Sequence, residues 1–164
     1  MPMLHHVSIG VADVGRAAEF YDSALKTLGY KRIMEFLPYG IGYGEVAPEF
    51  WVQLPHDGGK ASAGNGVHIC FAANNKRAVH AFHEAALKAG GIDEGAPGPR
   101  PEYSPRYYGC FARDLDGNKI EAVFFDMSEA MPAAKAKAKA KAKPKKKAAK
   151  KPARKAAKKK KARR

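Results

Sequence analysis

Apolar residues along the first three quarters of the chain change their spacing in a fixed order, twice. HVSIGVAD alternates apolar with small or polar residues, as a strand does, and runs into a turn. VGRAAEFYDSALKTLG then spaces its apolar residues three and four apart and closes on Gly, as an amphipathic helix does. Further on, HICFAANN and KRAVHAFHEAALKAGG repeat that order. A shift of 62 residues superposes His6 on His68, Phe20 on Phe82, Ala24 on Ala86, Leu25 on Leu87, Lys26 on Lys88 and Gly29 on Gly91. Asp13 and Asn75 stand where N-caps are expected. Beyond the helices a shift of 68 places Tyr39 on Tyr107, Tyr43 on Phe111 and Gln53 on Glu121.

Each copy therefore predicts a strand, a helix and two or three antiparallel strands. The loop HDGGKASAGNG divides the copies, and Asp116-Gly117 marks a hairpin in the second. The segment 92–105, rich in Pro and Gly, predicts a poorly formed strand. The expected fold class is α+β: two βαβββ modules, at about 3–56 and 66–126, forming a curved, barrel-like mixed sheet with helices outside.

Charge divides the chain differently. Its 164 residues carry a formal net charge of +14, but residues 132–164 contain only Lys, Arg, Ala and Pro. That tail holds 18 Lys and Arg and no acid, which leaves −4 on 1–131. The domain of 1–131 has the length and the aromatics to bury a core; the tail has no core-forming side chain and is expected to be disordered. No apolar run approaches the roughly 18 residues of a membrane span, and the N-terminus shows no secretory pattern. Cys70 and Cys110 fit neither a disulfide framework nor a Cys-type zinc site and read as buried thiols. These features point to a cytoplasmic protein.

The repeat brings four polar residues into apolar strands: His6 and His68 at the start of each copy, Gln53 and Glu121 at its end. Buried without partners, such groups cost roughly 2–7 kcal/mol each. One divalent ion (Fe, Mn, Ni, Zn or Co) would satisfy them together and leave positions open for water and substrate. Hydrogen-bonded core histidines are the alternative. His5 is set aside, since in a strand it points to the opposite face. His80 and His83 read as helix-surface residues. Arg100, Tyr103 and Tyr107 are candidates for the pocket mouth, with Arg100 suited to a substrate carboxylate or phosphate; a solvated loop is the alternative. Glu45 is a candidate base only if its strand points it inward.

At HVSIGVADVGRAAEFYDSAL, GVHICFAA and YYGCFARDLDGNKIEAVFF the sequence resembles the vicinal oxygen chelate superfamily, over roughly residues 3–126. That superfamily includes glyoxalase I, methylmalonyl-CoA epimerase, extradiol dioxygenases and fosfomycin- or bleomycin-resistance proteins. The resemblance implies a metal-dependent lyase, isomerase or dioxygenase acting on a small substrate chelated through vicinal oxygens. It carries the ligand roles onto His6, Gln53, His68 and Glu121, and makes Glu121 the group able to leave the metal and act as a base. Gln53 departs from the glutamate of bacterial glyoxalase I and matches the epimerase branch. In the dioxygenase branch that position is not a ligand. A metal-free, small-molecule-binding module is the competing reading. The modules can close within one chain or across a homodimer, and the sequence does not choose.

In composition the tail resembles those of linker histones and bacterial histone-like proteins. Lys145, Lys146, Lys147, Lys150, Lys151, Arg154, Lys158, Lys159, Lys160, Lys161, Arg163 and Arg164 can neutralise phosphates but cannot read bases. Sequence-independent nucleic-acid binding, including nucleoid association, is the expectation. A nucleoid-associated protein whose domain is only a platform is a third reading.

Overall fold

The computed structural model describes residues 3–128, and the tail residues named above lie outside them. The first module runs β1 (Val7–Gly10), α1 (Val14–Lys26), β2 (Lys31–Phe36), β3 (Gly40–Gly44) and β4 (Phe50–Gln53). The second runs β5 (His68–Ala72), α2 (Lys76–Lys88), β6 (Ile92–Pro99), β7 (Tyr107–Arg113) and β8 (Lys119–Phe125). Each module is one four-stranded mixed sheet, ordered β1-β4-β3-β2 and β5-β8-β7-β6, and the α+β class with paired βαβββ modules is as expected.

Both helices have 13 residues, and their bounds differ by the sequence shift of 62. Asp13 accepts from the Arg16 N–H and Asn75 from the Ala78 N–H, both at 2.9 Å, so each helix starts on its cap. The segment after α2 departs from expectation. Despite Gly95, Pro97 and Pro99, β6 forms eight residues paired to β7, because register shifts at Asp93/Gly95 and Gly95/Gly98 absorb the poor ladder residues.

Alternation gives each sheet two different faces. Ile41, Tyr43, Phe50 and Val52 bury against α1, through Ala17, Ala18, Phe20, Tyr21, Ala24 and Leu25. Cys110, Ala112, Ile120 and Ala122 do the same against Val79, Phe82 and Ala86 of α2. The intervening residues face away from the helices: Met34, Phe36, Trp51 and Gln53 on the first sheet, Tyr107, Gly109, Phe111 and Glu121 on the second. Cys110 is the buried thiol that was expected. Cys70 is not: it is exposed, on the helix-free face of β5.

The two modules share one core. Phe50 meets Phe71 edge-on with centroids 5.0 Å apart, and Phe71 lies 6.0 Å from Phe82. A buried polar joint adds direction. Asp114, 3% exposed, accepts the Tyr21 hydroxyl of α1 at 2.8 Å and the Asn118 side-chain amide at 2.9 Å. It also accepts the backbone N–H groups of Asp116 and Asn118 at 3.0 and 2.8 Å. Across the joint, Asn118 donates to the Gly10 carbonyl at 3.3 Å, and Asp116 accepts from the Ala12 N–H at 3.0 Å. The turn closes at Gly117, whose φ of 86° favours glycine. Burial and the Asp114 carboxylate hold the Tyr21 phenol well above its usual pKa, so it remains a donor. Among the described residues no helix is long and apolar enough to cross a membrane.

Two outcomes follow. Tyr21→Phe removes a hydrogen bond to a carboxylate and is expected to cost about 1.5–3 kcal/mol in urea unfolding; an unchanged midpoint would remove Asp114 from the account. His83, 9% exposed rather than on the surface, pairs with Asp93 at 3.0 Å. The Gly95 N–H first, and His83 second, hold the Asp93 carboxyl below its ordinary value. Its contribution is therefore present above about pH 4 and lost as pH falls through the lowered pKa. Thermal melts of wild type and Asp93→Asn should differ at pH 6 and draw together as pH falls through the lowered pKa of Asp93.

Candidate metal and substrate site

The second module places its candidate residues by register. Parallel pairing of β5 and β8 sets Cys70 beside Glu121, and His68, two residues earlier, shares that face. His68 Nε2 stands 3.1 Å from Glu121 Oε2, with the His68 side chain 47% exposed and that of Glu121 1% exposed. The other carboxylate oxygen, Oε1, accepts the Tyr107 hydroxyl at 2.5 Å. Burial, and then the carboxylate it faces, raise the Tyr107 phenol pKa, so the proton stays on Tyr107.

This pair passes a simple test of fit to a metal ion. Two donors at right angles, each about 2.1 Å from one ion, lie roughly 3 Å apart. The observed 3.1 Å between Nε2 and Oε2 matches that spacing. A carboxylate so deeply buried also needs compensation, which the Tyr107 hydroxyl supplies in part and a cation beside His68 would complete.

The first module holds the other two candidates differently from the sequence pattern. His6 lies one residue before β1 rather than in it, is exposed, and has Nδ1 2.9 Å from Nδ1 of His5. The two rings therefore meet instead of facing opposite ways, because the chain is not yet extended. Gln53 ends β4, paired with Gly10 of β1 and Gly40 of β3. The register also corrects the repeat. Ser8 pairs with Trp51 as its mate Cys70 pairs with Glu121, so Trp51 is the register equivalent of Glu121, and Gln53 that of Val123.

Around Gln53 the first sheet opens a cleft of about 780 Å³, with Phe36, Tyr39, Trp51 and His56 in its wall. The Phe36 and Trp51 rings stack 6.0 Å apart, tilted by 19°. Gly42 makes this possible, since a Cβ there would stand 2.8 Å from the indole. Among the described residues no three His, Cys, Asp or Glu side chains of one chain gather to hold a metal ion. His68 and Glu121 thus meet in the single chain without His6.

Arg100, Tyr103 and Tyr107 lie near one another on the second module, and none of them lines the cleft around Gln53. Tyr103 is exposed and lies edge-on to Tyr107 with centroids 5.2 Å apart. The Arg100 guanidinium lies 5.6 Å from the Phe111 centroid and donates to the Ala96 carbonyl at 2.9 Å. Glu45 follows β3 in an exposed turn and faces no part of this site. Two further residues, absent from the sequence pattern, belong to this face. Lys119 pairs with His68 in the ladder and sets its ammonium 4.8 Å from the Phe111 centroid. Gly109 leaves the space in which Tyr107 and Glu121 meet. A glycine inside the apolar run YYGCF was the available signal, as it marks a close approach.

Comparison with known proteins agrees with this architecture. Residues 3–122 match the model of the Glyoxalase/Bleomycin resistance protein/Dioxygenase superfamily. A solved glyoxalase/bleomycin resistance protein from Albidiferax ferrireducens T118 is 35% identical, over 74% of this chain and 98% of its own, with a TM-score of 0.66. A glyoxalase-related enzyme from Fulvimarina pelagi shares the fold at 19% identity, over 76% of this chain and 88% of its own, with a TM-score of 0.59. Lactoylglutathione lyase from Agrobacterium tumefaciens does so at 18% identity, over 75% of this chain and 93% of its own, with a TM-score of 0.52. No functionally curated protein matches the chain. The chain belongs to the Glyoxalase/Bleomycin resistance protein/Dioxygenase superfamily.

Proposed function

We propose that this chain is a divalent-metal-dependent enzyme acting on a small substrate through two neighbouring oxygens, with its site shared across a homodimer. The observation that carries this reading is the His68–Glu121 pair, spaced as two ligands of one ion while His6 lies apart from it. In a two-fold dimer the helix-free face of one copy's second module meets that of the other's first. His68 and Glu121 of one subunit then join His6, with Gln53 as a neutral oxygen donor, from the partner. The apolar side chains on these faces, Phe36 at 58% exposed among them, support their being covered.

A divalent ion bound there supplies a Lewis acid that polarises the substrate oxygens. The protein's own groups do the rest. Glu121 is the carboxylate placed to take up a proton at the substrate. Arg100 and Lys119, each set against the Phe111 ring, offer positive charge to an anionic substituent. Phe36 and Trp51 wall the cleft against water. The same stacked pair favours one other reading, a metal-free module that sequesters a flat ligand.

A mixing experiment separates these readings. His6→Ala and Glu121→Ala chains, each expected to bind no divalent metal, are unfolded together and refolded. A shared site predicts that about one quarter of the wild-type metal content returns, since each heterodimer regains one intact site of two. Sites closed within one chain return none. Wild-type protein that holds no divalent metal leaves the sequestering module.

We also propose that the segment 132–164 tethers the domain to nucleic acid without reading sequence. Its 18 positive charges and lack of acid or aromatic residues support this. Deleting it should lower DNA affinity by orders of magnitude at 50 mM salt and flatten the salt dependence. Equal binding by 1–131 would refute the tether.

A further inference from the structure

We propose that Tyr107 is a positioning residue for Glu121: its hydroxyl occupies Oε1, so that the carboxylate presents Oε2 alone beside His68. This rests on the metal reading above and goes beyond it, since the phenol becomes part of what makes the ligand set rather than of the pocket mouth.

The geometry is specific. Register pairs Tyr107 with Phe125 and Phe111 with Glu121, so Tyr107 and Glu121 start four ladder positions apart and must lean toward each other. They meet over Gly109, on the same face between them. A Cβ at Gly109 would lie 3.0 Å from Glu121 Oε1 and 3.2 Å from Tyr107 Cε1, so both side chains would have to give by a few tenths of an ångström. The missing side chain therefore leaves the hydrogen bond its room. Ring contacts with Tyr103 and Phe125 fix the aromatic plane. The nearest other polar partner of the hydroxyl, the Cys70 thiol at 4.0 Å, is a weak acceptor.

The consequence follows from the two oxygens. A free carboxylate can turn both toward a cation or swing away from it. With Oε1 held at 2.5 Å by the phenol and Oε2 at 3.1 Å from Nε2, two-oxygen binding to one ion is blocked, and Oε2 alone faces His68, free to hold the ion or to leave it for a proton. Partners that orient ligands in this way typically contribute 10–100-fold to metal affinity.

The test uses the full chain and Co(II), read by its visible absorption bands. Tyr107→Phe keeps the ring and loses only the hydroxyl; it should bind Co(II) about tenfold more weakly, with shifted bands as the carboxylate turns. Gly109→Ala should weaken binding at least as much. Tyr108→Phe, whose hydroxyl bonds His80 on the helix side at 2.7 Å, should match wild type. Wild-type affinity and bands in Tyr107→Phe would overturn the proposal.

If wild type takes up no Co(II), the metal reading itself has failed. Metal-free crystals then decide the positioning claim. Glu121 rotated away from His68 in Tyr107→Phe upholds it, and an unchanged separation near 3 Å overturns it.

Discussion

Asp114 sits where the two modules become one body, and the rest of the structure depends on how it is satisfied. A carboxylate buried to this degree is destabilising unless its acceptor sites are filled. Here α1 of the first module contributes the Tyr21 hydroxyl, while the β7–β8 turn contributes two backbone N–H groups and the Asn118 amide. The hydrophobic contacts of Phe50, Phe71 and Phe82 are undirected and would tolerate sliding. The Asp114 joint, with Asn118 reaching Gly10 and Ala12 reaching Asp116, does not. The same hairpin leads into β8, the strand that carries Glu121.

That joint also determines which faces remain open. Once the helices and the helix-facing sides of both sheets are consumed in one core, the candidate chemistry lies on the opposite sides. The second module then offers a prepared pair, His68 and Glu121, with Tyr107 holding the carboxylate from behind. The first offers an aromatic cleft with Gln53 at its side and His6 at its edge. Neither half is complete. That division is what the proposed site shared between two subunits is built on.

Much of this was legible in the residues. The first residue of both helices was located, and the Asp and Asn caps were read correctly because capping is local chemistry, while each helix ends three residues before the Gly expected to close it. His68 and Glu121 fall on one face because strand alternation is equally local. What could not be read depends on pairing between strands. The shift of 68 matched Gln53 to Glu121 by residue type, whereas the ladder matches Trp51 to Glu121, since the insertion between the helix and the last strand differs in the two copies. His6 was placed in a strand that starts one residue later. Segment 92–105 read as a poorly formed strand because of its Pro and Gly, and edge position and bulges are what let it pair along β7. Cys70 looked buried because it stands in an apolar-alternating run. It lies instead on the face that the helices leave open.

The most direct measurement of the central claim is anomalous diffraction from crystals of the Co(II)-loaded protein. The account predicts one peak per chain, within bonding distance of His68 Nε2 and Glu121 Oε2 of one subunit and of His6 of the partner subunit. A peak bonded to His6 and His68 of the same chain, or one remote from Glu121, would contradict it.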